Sequence, residues 1–232
     1  MNILLTNDDG IDAPGLVALS QAIECLGATA VVVAPLLPHS GCGHRVTTDR
    51  PLRVVCLGPN RYCVDGTPAD CVRIGLAEIA AATECVVSGI NAGGNLGVDV
   101  HHSGTVAAAR EAALHGRHAL AVSQYHGHQT AIDWQRSVVW LKRVLLEFPL
   151  SKQLPGEFWN LNFPALTVGD FPSDQPAIIH CAIDASPCEL VYRSTENGWQ
   201  YASPYHKRPR TAGCDVDICF KGGIALSRGR VV

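Results

Sequence analysis

The first ten residues constrain the possible fold more than any other stretch. A short apolar run, Ile3 to Leu5, is followed by two adjacent carboxylates, Asp8 and Asp9, and then by Gly10. Such a run is typical of a strand buried on both faces, and Asp-Gly marks a turn. Because ligands bind at the carboxyl ends of strands in open parallel sheets, the acids predict a cation site there. A plain turn or helix cap accounts for them equally well at this point.

The segments after this run alternate between helical and strand patterns. Apolar residues three or four apart predict a helix from Leu16 to Leu26, between Pro14 and Gly27, and residues 30–34 predict a second buried strand. Further strands are predicted at 84–88, 119–123 and 159–163, and further helices at 67–82, from Ser103 to Leu114 and around 134–145. The fold class is therefore α/β, with a Rossmann-like, mostly parallel sheet flanked by helices.

The chain is long enough for one sizeable core with an appendage, at 232 residues. We predict a Rossmann-like catalytic core over residues 1–163, with 159–163 as the last strand of the main sheet. Residues 164–232 predict a smaller β-rich C-terminal part that packs on the core, with strand-like pieces at 177–180, 189–192 and 198–201 and a late hairpin in 215–226.

Composition excludes several classes of protein. A net charge of -3 without a basic stretch argues against stable nucleic-acid binding, and no apolar run reaches the roughly 18 residues that a membrane span needs. Because the first strand starts at Asn2 with no leader before it, we expect a cytoplasmic protein. The ten cysteines include no C-x-x-C pair, which favours free buried thiols over a disulfide framework or a zinc site.

Three later stretches carry residues that could bind a ligand at the same carboxyl edge of the sheet. Ser40 follows the second strand, and Asn91 opens a loop with four glycines after the strand at 84–88. Together with the first two acids, these side chains form an all-oxygen set that suits Mg²⁺, Mn²⁺ or Ca²⁺. The helix that begins at Ser103 offers free N–H groups for a phosphate, although a plain serine cap is also consistent with it. A cation beside an anion site predicts metal-assisted hydrolysis of a phosphate ester.

Five motifs along the chain resemble those of one family, the SurE family of survival-protein phosphatases. They are Asn7–Gly10, Ser40-Gly41, Gly66–Cys71, Ser88–Gly97 and Ser103–Ala109. Ala13–Gly15 is a sixth, shorter match, and Asp215–Phe220 with Gly223–Ala225 resembles the late strand pair of the same family. The resemblance implies a 5′/3′-nucleotidase that acts on nucleoside monophosphates, uses one Mg²⁺ or Mn²⁺ ion per subunit, and self-associates through its β-rich part into a homodimer or homotetramer. Some members of the family also trim short polyphosphate.

The resemblance also implies roles for single residues. The implied metal ligands are Asp8, Asp9, Ser40 and Asn91, and the implied phosphate-binding residues are Asn95, Ser103, Gly104 and Thr105. Asp8, Asp9 and Asn95 are the expected catalytic residues. Many members have an arginine and a tyrosine where this chain has His39 and His102, which leaves substrate preference open.

Other roles near the site also remain open. The general base is not identified: either one of the aspartates orients the attacking water, or the metal alone makes that water acidic enough. His101 and His102 suit protonation of the leaving oxygen as well as a surface or packing role. Thr67 to Asp70 predicts a helix cap with a first-turn proline, so Asp70 is interpreted as structural.

Rival functions remain. One is a phosphatase for short polyphosphate or for phosphomonoesters in general. A haloacid-dehalogenase type of phosphatase would need Asp-x-Asp, whereas the acids here are adjacent. A non-catalytic nucleotide-binding or phospho-receiver module is a further alternative, although receiver domains are about half this length and no Gly-x-Gly-x-x-Gly follows the first strand.

Overall fold

The computed structural model describes residues 1–127, 131–165 and 175–231. The strands in these ranges are β1 Asn2–Thr6, β2 Thr29–Pro35, β3 Val54–Gly58, β4 Arg61–Val64, β5 Cys85–Ala92, β6 His118–Gln124, β7 Glu157–Phe163, β8 Ile178–Cys181, β9 Tyr192–Thr195, β10 Gly198–Tyr201 and β11 Ile224–Arg230. The α-helices are α1 Pro14–Glu24, α2 Pro68–Ile74, α3 Gly104–Leu114, α4 Trp134–Glu147 and α5 Asp215–Phe220. A π-helix covers Gly75–Ile79, and 3₁₀ helices cover Gly97–His101, Leu150–Lys152 and Tyr205–Lys207.

The main sheet is mostly parallel. Its strand order is β3-β4-β2-β1-β5-β6-β7-β11-β8, and β9 and β10 form a separate antiparallel hairpin. β1 pairs in parallel with β2 and β5, and the sheet continues in parallel through β6 to β7. The pairs β3–β4 and β7–β11 are antiparallel. The predicted fold class is therefore confirmed.

The burial of β1 shows how the two helical layers are held. Ile3 and Leu5 point to the face covered by α1 and α4, whereas Leu4 points to the face covered by α2 and α3. Successive side chains of a strand alternate between its faces, so a central strand covered on both sides must be apolar throughout. The Ile3 to Leu5 run meets that requirement, which places the acids after β1 at the carboxyl edge of the sheet.

The start of α2 has the predicted cap, but its end differs from the prediction. The Thr67 hydroxyl accepts a hydrogen bond from Asp70 N–H (3.2 Å), and an Asp70 carboxylate oxygen accepts one from Thr67 N–H (2.9 Å). Asp70 also accepts hydrogen bonds from the backbone and hydroxyl of Thr47, so its structural interpretation is supported. After Ile74, α2 continues as the π-helix, and the helical segment ends at Ile79 rather than near Ala82.

Two predictions about the late part of the chain were wrong. β7 does not close the main sheet, since β11 pairs with its free side and β8 pairs in parallel with β11. The segment predicted as a late hairpin is α5 followed by the single strand β11. Asp215 anchors this helix to other parts of the chain: its buried carboxylate accepts hydrogen bonds from the backbone N–H groups of Gly97, Asp184 and Val216. The alternation of polar and apolar residues in 215–220 does not reveal those contacts.

The β9–β10 hairpin differs from the rest of the C-terminal part because all residues of both its strands are exposed. Residues 166–174 and Val232, which fall in the predicted C-terminal part, lie outside the described residues. The division of the chain at residue 163 stays a prediction. Within the described ranges, no helix is long and apolar enough to cross a membrane.

Candidate active site

The predicted metal ligands come together at the carboxyl edge of three adjacent strands. Asp8 and Asp9 follow β1, Ser40 lies in the loop after β2, and Asn91 lies near the end of β5. β1 runs between β2 and β5, so these strand ends are neighbours. The N–H group of His39 donates to the carbonyl oxygen of Asp8 at 2.7 Å, which fixes the loop after β2 beside the first acid.

Asp9 connects the turn after β1 to β5. Its Oδ2 accepts a hydrogen bond from Ala92 N–H at 3.2 Å, directly after Asn91 in the chain. Asn91 Nδ2 donates to the carbonyl oxygen of Gly93 at 2.9 Å, so its amide oxygen remains the group available to a ligand. Asp9 and Asn91 are half-buried and Ser40 is exposed, so all three are accessible from the cleft.

Asp8 is the buried member of the set, with only 4% of its surface exposed. Burial raises its pKa to about 6; the hydrogen bond from the Thr105 hydroxyl to Asp8 Oδ1 opposes this shift, and the neighbouring charge of Asp9 adds to it. Burial also raises the pKa of Asp9. Among the described residues, neither carboxylate pairs with a basic side chain. Two desolvated acids without a counter-charge fit a bound divalent cation.

The first turn of α3 packs directly against Asp8. A Cβ atom placed on Gly104 would lie 2.8 Å from the Asp8 Cβ, and 3.0 Å from both Asp8 Oδ2 and Cys42 Sγ. A real Cβ does not approach other atoms that closely, so only glycine lets the helix start sit against the acid. The positive end of the α3 dipole therefore faces the candidate metal site.

The residues at the start of α3 have different roles in the structure. The Ser103 hydroxyl accepts a hydrogen bond from Val106 N–H at 3.0 Å, which makes it the predicted N-cap. Thr105 is fully buried, and its hydroxyl is used by Asp8. The part of this turn that suits a phosphate is thus the backbone N–H groups of Gly104 and Thr105. The sequence does not show that Thr105 supports Asp8.

Asn95 is held in the glycine-rich loop by residues that sequence reasoning missed. Its Nδ2 donates to the Ser123 hydroxyl (2.8 Å), and its N–H donates to Asn162 Oδ1 (2.8 Å). Its carbonyl oxygen accepts hydrogen bonds from the side chains of Asn160 and Asn162. Both asparagines lie on β7, two positions apart and fully buried. The sequence signal for this contact is the pair of asparagines two positions apart in an apolar strand, because amides on one face of a buried strand need hydrogen-bond partners.

His101 and His102 lie at the surface beside the site. His101 and His102 are exposed, and the carbonyl oxygen of His102 accepts a hydrogen bond from Gly43 N–H at 2.9 Å. This backbone contact joins the loop after β2 to the start of α3. A part in proton transfer for either histidine stays a prediction.

The donor atoms of the candidate site are all oxygens. Across the described part of the chain, no group of three or more His, Cys, Asp and Glu side chains could hold a metal ion. The set formed by Asp8, Asp9, Ser40 and Asn91 contains only two residues of those types. Its chemistry therefore fits a hard cation such as Mg²⁺ or Mn²⁺ rather than zinc or copper.

The fold and the site together define a Rossmann-like α/β protein with an acidic strand-end cluster facing a helix N-terminus. The chain belongs to the SurE family: residues 3–181 match the family described as "Survival protein SurE". The resemblance expected from the five motifs is thereby confirmed.

Similar proteins cover most or all of the chain. A putative 5′-nucleotidase of Nostoc sp. (strain PCC 7120) is 46% identical over 231 residues, which is 100% of both chains. The 5′-nucleotidase SurE of Geobacter sulfurreducens is 46% identical over 169 residues, 72% of this chain and 63% of that protein. The crystal structure of a SurE protein from Aquifex aeolicus matches with a TM-score of 0.83 and 28% sequence identity, covering 100% of this chain and 94% of the other.

Proposed function

We propose that this protein is a nucleotidase that hydrolyses nucleoside 5′- or 3′-monophosphates to nucleoside and phosphate, with the help of a divalent cation. The observation that carries the proposal is the buried carboxylate of Asp8, which lies without a counter-charge against the first turn of α3. A cation next to an anion-binding helix start suits a metal-phosphate pair. The names of the relatives, 5′-nucleotidases, support the same activity.

Four oxygen donors are proposed to hold the cation, which is Mg²⁺ or Mn²⁺: Asp8, Asp9, Ser40 and Asn91. Ca²⁺ is expected to fit the same donors without the same reactivity. When bound, the ion supplies a Lewis acid that polarises the phosphoryl group and lowers the pKa of a water. Asp9 is the carboxylate open to solvent, so it is the one proposed to orient the attacking water.

The phosphate is proposed to bind at the start of α3. The N–H groups of Gly104 and Thr105 point along the axis of α3, and the helix dipole favours the charge that spreads over the phosphoryl oxygens. Ser103 holds this turn in place as its cap. Asn95 Nδ2 carries two protons, so it can donate one to Ser123 and the other to the phosphate.

The direct test is release of phosphate from AMP, GMP, UMP and 3′-AMP in the presence of Mg²⁺ or Mn²⁺, repeated with EDTA. We expect EDTA to abolish turnover and Asp8→Asn to reduce it at least about 100-fold, because the variant loses a charged ligand. Asp12→Asn is a matched control. Asp12 lies in the same turn, but its exposed side chain pairs with Arg61, away from the cleft.

Other outcomes of this assay distinguish the rival functions. Activity that survives both EDTA and Asp8→Asn rules out the metal-dependent mechanism. Turnover of short polyphosphate in preference to all nucleotides favours a polyphosphatase, and binding of AMP without turnover favours a nucleotide-binding module. Phosphate trapped covalently on Asp8 would indicate an aspartyl-phosphate mechanism.

Self-association through the β9–β10 hairpin is a separate proposal. Leu190, just before β9, and Trp199, on β10, are 79% and 74% exposed, and neighbouring large apolar side chains that are exposed indicate an interface. We expect light scattering after gel filtration to give a dimer or tetramer. Trp199→Glu should shift the protein toward the monomer, and a wild-type monomer would contradict the proposal.

A further inference from the structure

A cavity of about 150 Å³ lies between the 3₁₀ helix Gly97–His101 and the segment that follows β10. Asp99 lines it from the helix, and Tyr201, Tyr205 and Lys207 line it from the end of β10 and the chain that follows. The lining residues do not include the proposed metal ligands or phosphate-binding residues. A cavity of this size can hold one aromatic ring.

One wall of the cavity is held rigidly by hydrogen bonds. Arg208 donates to both carboxylate oxygens of Asp99, at 2.5 and 2.9 Å. The guanidinium of Arg208 also lies over the ring of Tyr205, 4.7 Å from its centroid, and the Tyr205 hydroxyl donates to Asp99 Oδ2 at 3.1 Å. A bidentate ion pair stacked on an aromatic ring keeps its shape when a ligand enters.

The same helix connects the cavity to the proposed phosphate site. The carbonyl oxygen of Asp99 accepts a hydrogen bond from the N–H group of Ser103 at 3.0 Å, and Ser103 caps α3. The Tyr205 hydroxyl also lies 3.3 Å from the carbonyl oxygen of Gly94, in the glycine-rich loop. The cavity and the phosphate site therefore lie at the two ends of the short segment 99–104. In a nucleoside monophosphate, a single ribose separates base from phosphate.

Other residues that line the cavity carry groups that are free to bind a ligand. Tyr201 is 55% exposed. The side chains of Glu189 and Lys207 also line the cavity, and neither has a hydrogen bond or an ion pair with any described residue. An aromatic ring can stack on a base, while a carboxylate and an ammonium group can accept from and donate to its edge.

We infer that this cavity receives the base of a nucleoside monophosphate whose phosphate lies at the start of α3. Tyr201 stacks on the base, and Glu189 and Lys207 hydrogen-bond to its edge. Asp99, Tyr205 and Arg208 form the fixed wall. The inference rests on the proposed nucleotidase function and adds the part of the site that selects a nucleotide over a phosphomonoester without a base.

The test compares AMP with ribose 5-phosphate, which has the same sugar and phosphate but no base. Tyr201→Ala should raise KM for AMP roughly tenfold through lost stacking, with kcat little changed. Its kcat/KM for ribose 5-phosphate should stay within about twofold of the wild-type value. Adenosine, used as an inhibitor of ribose 5-phosphate hydrolysis, should bind the variant more weakly by a similar factor.

Tyr192→Ala is the matched control. Tyr192 faces Tyr201 across the hairpin, with ring centroids 5.6 Å apart and a similar exposure, but it does not line the cavity. Its substitution should leave both substrates unaffected. Equal effects of the two tyrosine variants, or an equal loss of AMP and ribose 5-phosphate hydrolysis in Tyr201→Ala, would overturn the inference by assigning Tyr201 a structural role.

Lys207→Ala is a second variant on an exposed side chain that should not affect folding. It should also raise KM for AMP and not that for ribose 5-phosphate. Unchanged KM for AMP in both Tyr201→Ala and Lys207→Ala, in a protein that hydrolyses AMP, overturns the cavity assignment alone. A wild-type protein that hydrolyses neither substrate overturns the proposed function instead.

Discussion

At the scale of single residues, Asp8 is the most buried of the candidate metal ligands and pairs with no basic side chain among the described residues. Because its pKa in the folded chain is about 6 rather than 3.8, the folded state holds a proton that the unfolded state has already lost between those pH values. The sign is destabilising: the metal-free protein loses stability as pH rises through this window. Above pH 6, the ionised Asp8 lowers the free energy of unfolding by about 3 kcal/mol, because two pKa units correspond to roughly 1.4 kcal/mol each.

Asp8→Asn should therefore stabilise the metal-free protein in a pH-dependent way. The measurement is urea unfolding in the presence of EDTA. We expect the free energy of unfolding of the variant minus that of the wild type to be about 2 kcal/mol larger at pH 7.5 than at pH 4.5. Comparing the difference at two pH values cancels the effect of the lost hydrogen bond itself. A difference that does not change with pH would contradict the buried charge.

Thr105 is the second residue whose role can be isolated, because its hydroxyl donates to Asp8. Thr105→Val keeps the shape but removes the donor, so we expect Mn²⁺ affinity to fall by about tenfold or more, as for other hydrogen bonds to charged groups. Titration calorimetry measures this. Thr105→Ser keeps the hydroxyl and should restore affinity to within about threefold of the wild type; failure of that rescue would assign the loss to packing.

At the scale of elements, α3 connects the site to the loop after β2. Glu111, on the buried side of this helix, lies 2.6 Å from His44 Nε2 and 3.0 Å from His115 Nε2. Burial alone would raise the pKa of Glu111, but these hydrogen bonds lower it below 4.5. This contribution to stability is present above that pH and is lost as pH falls through the lowered pKa.

Glu111→Gln should lower the free energy of unfolding at pH 7 by about 1–3 kcal/mol, because it weakens a buried charge-assisted network. Thermal unfolding measures the change, and the difference from the wild type should shrink below pH 4.5. Glu78→Gln is the matched control, since Glu78 is exposed and should change stability by less than about 0.5 kcal/mol. Equal effects of the two variants would exclude the network.

At the scale of the whole molecule, the last strand of the chain, β11, belongs to the same sheet as the first, β1. β11 pairs with β7 over six residue pairs, and all seven residues of β7 are buried. A Cβ on Gly229 would lie 2.1 Å from the ring of Phe158, so the ring packs directly on the β11 backbone and leaves no room for a side chain. The predicted core of residues 1–163 would by itself leave the edge of β7 without its partner strand.

A fragment of residues 1–163 is therefore expected to be insoluble or to lack a cooperative unfolding transition. The full chain should unfold in one transition that coincides by tryptophan fluorescence and circular dichroism. Replacing residues 192–201 by a short Gly-Ser linker is the control, because that hairpin is exposed and its loss should leave the main transition intact. A fragment 1–163 that folds cooperatively would show that the core is an independent domain.

The sequence by itself determined the features that depend on neighbours along the chain. The apolar run of β1, the cap formed by Thr67 and Asp70, and the N-cap at Ser103 were all predicted, because burial on both faces and capping follow from residue type and spacing. The order of strand-end loops was sufficient to bring Asp8, Ser40 and Asn91 to one edge, since the ends of parallel strands meet there.

The tertiary structure decided what depends on contacts between distant residues. Asp215 anchors the helix at 215–220 to backbone groups far away in the chain, and β11 joins β7 although about sixty residues separate them. The same holds in the site, where Thr105 supports Asp8, and Asn160 and Asn162 hold Asn95. Short polar patterns fit several local structures with similar energies, so burial and long-range hydrogen bonds select among them.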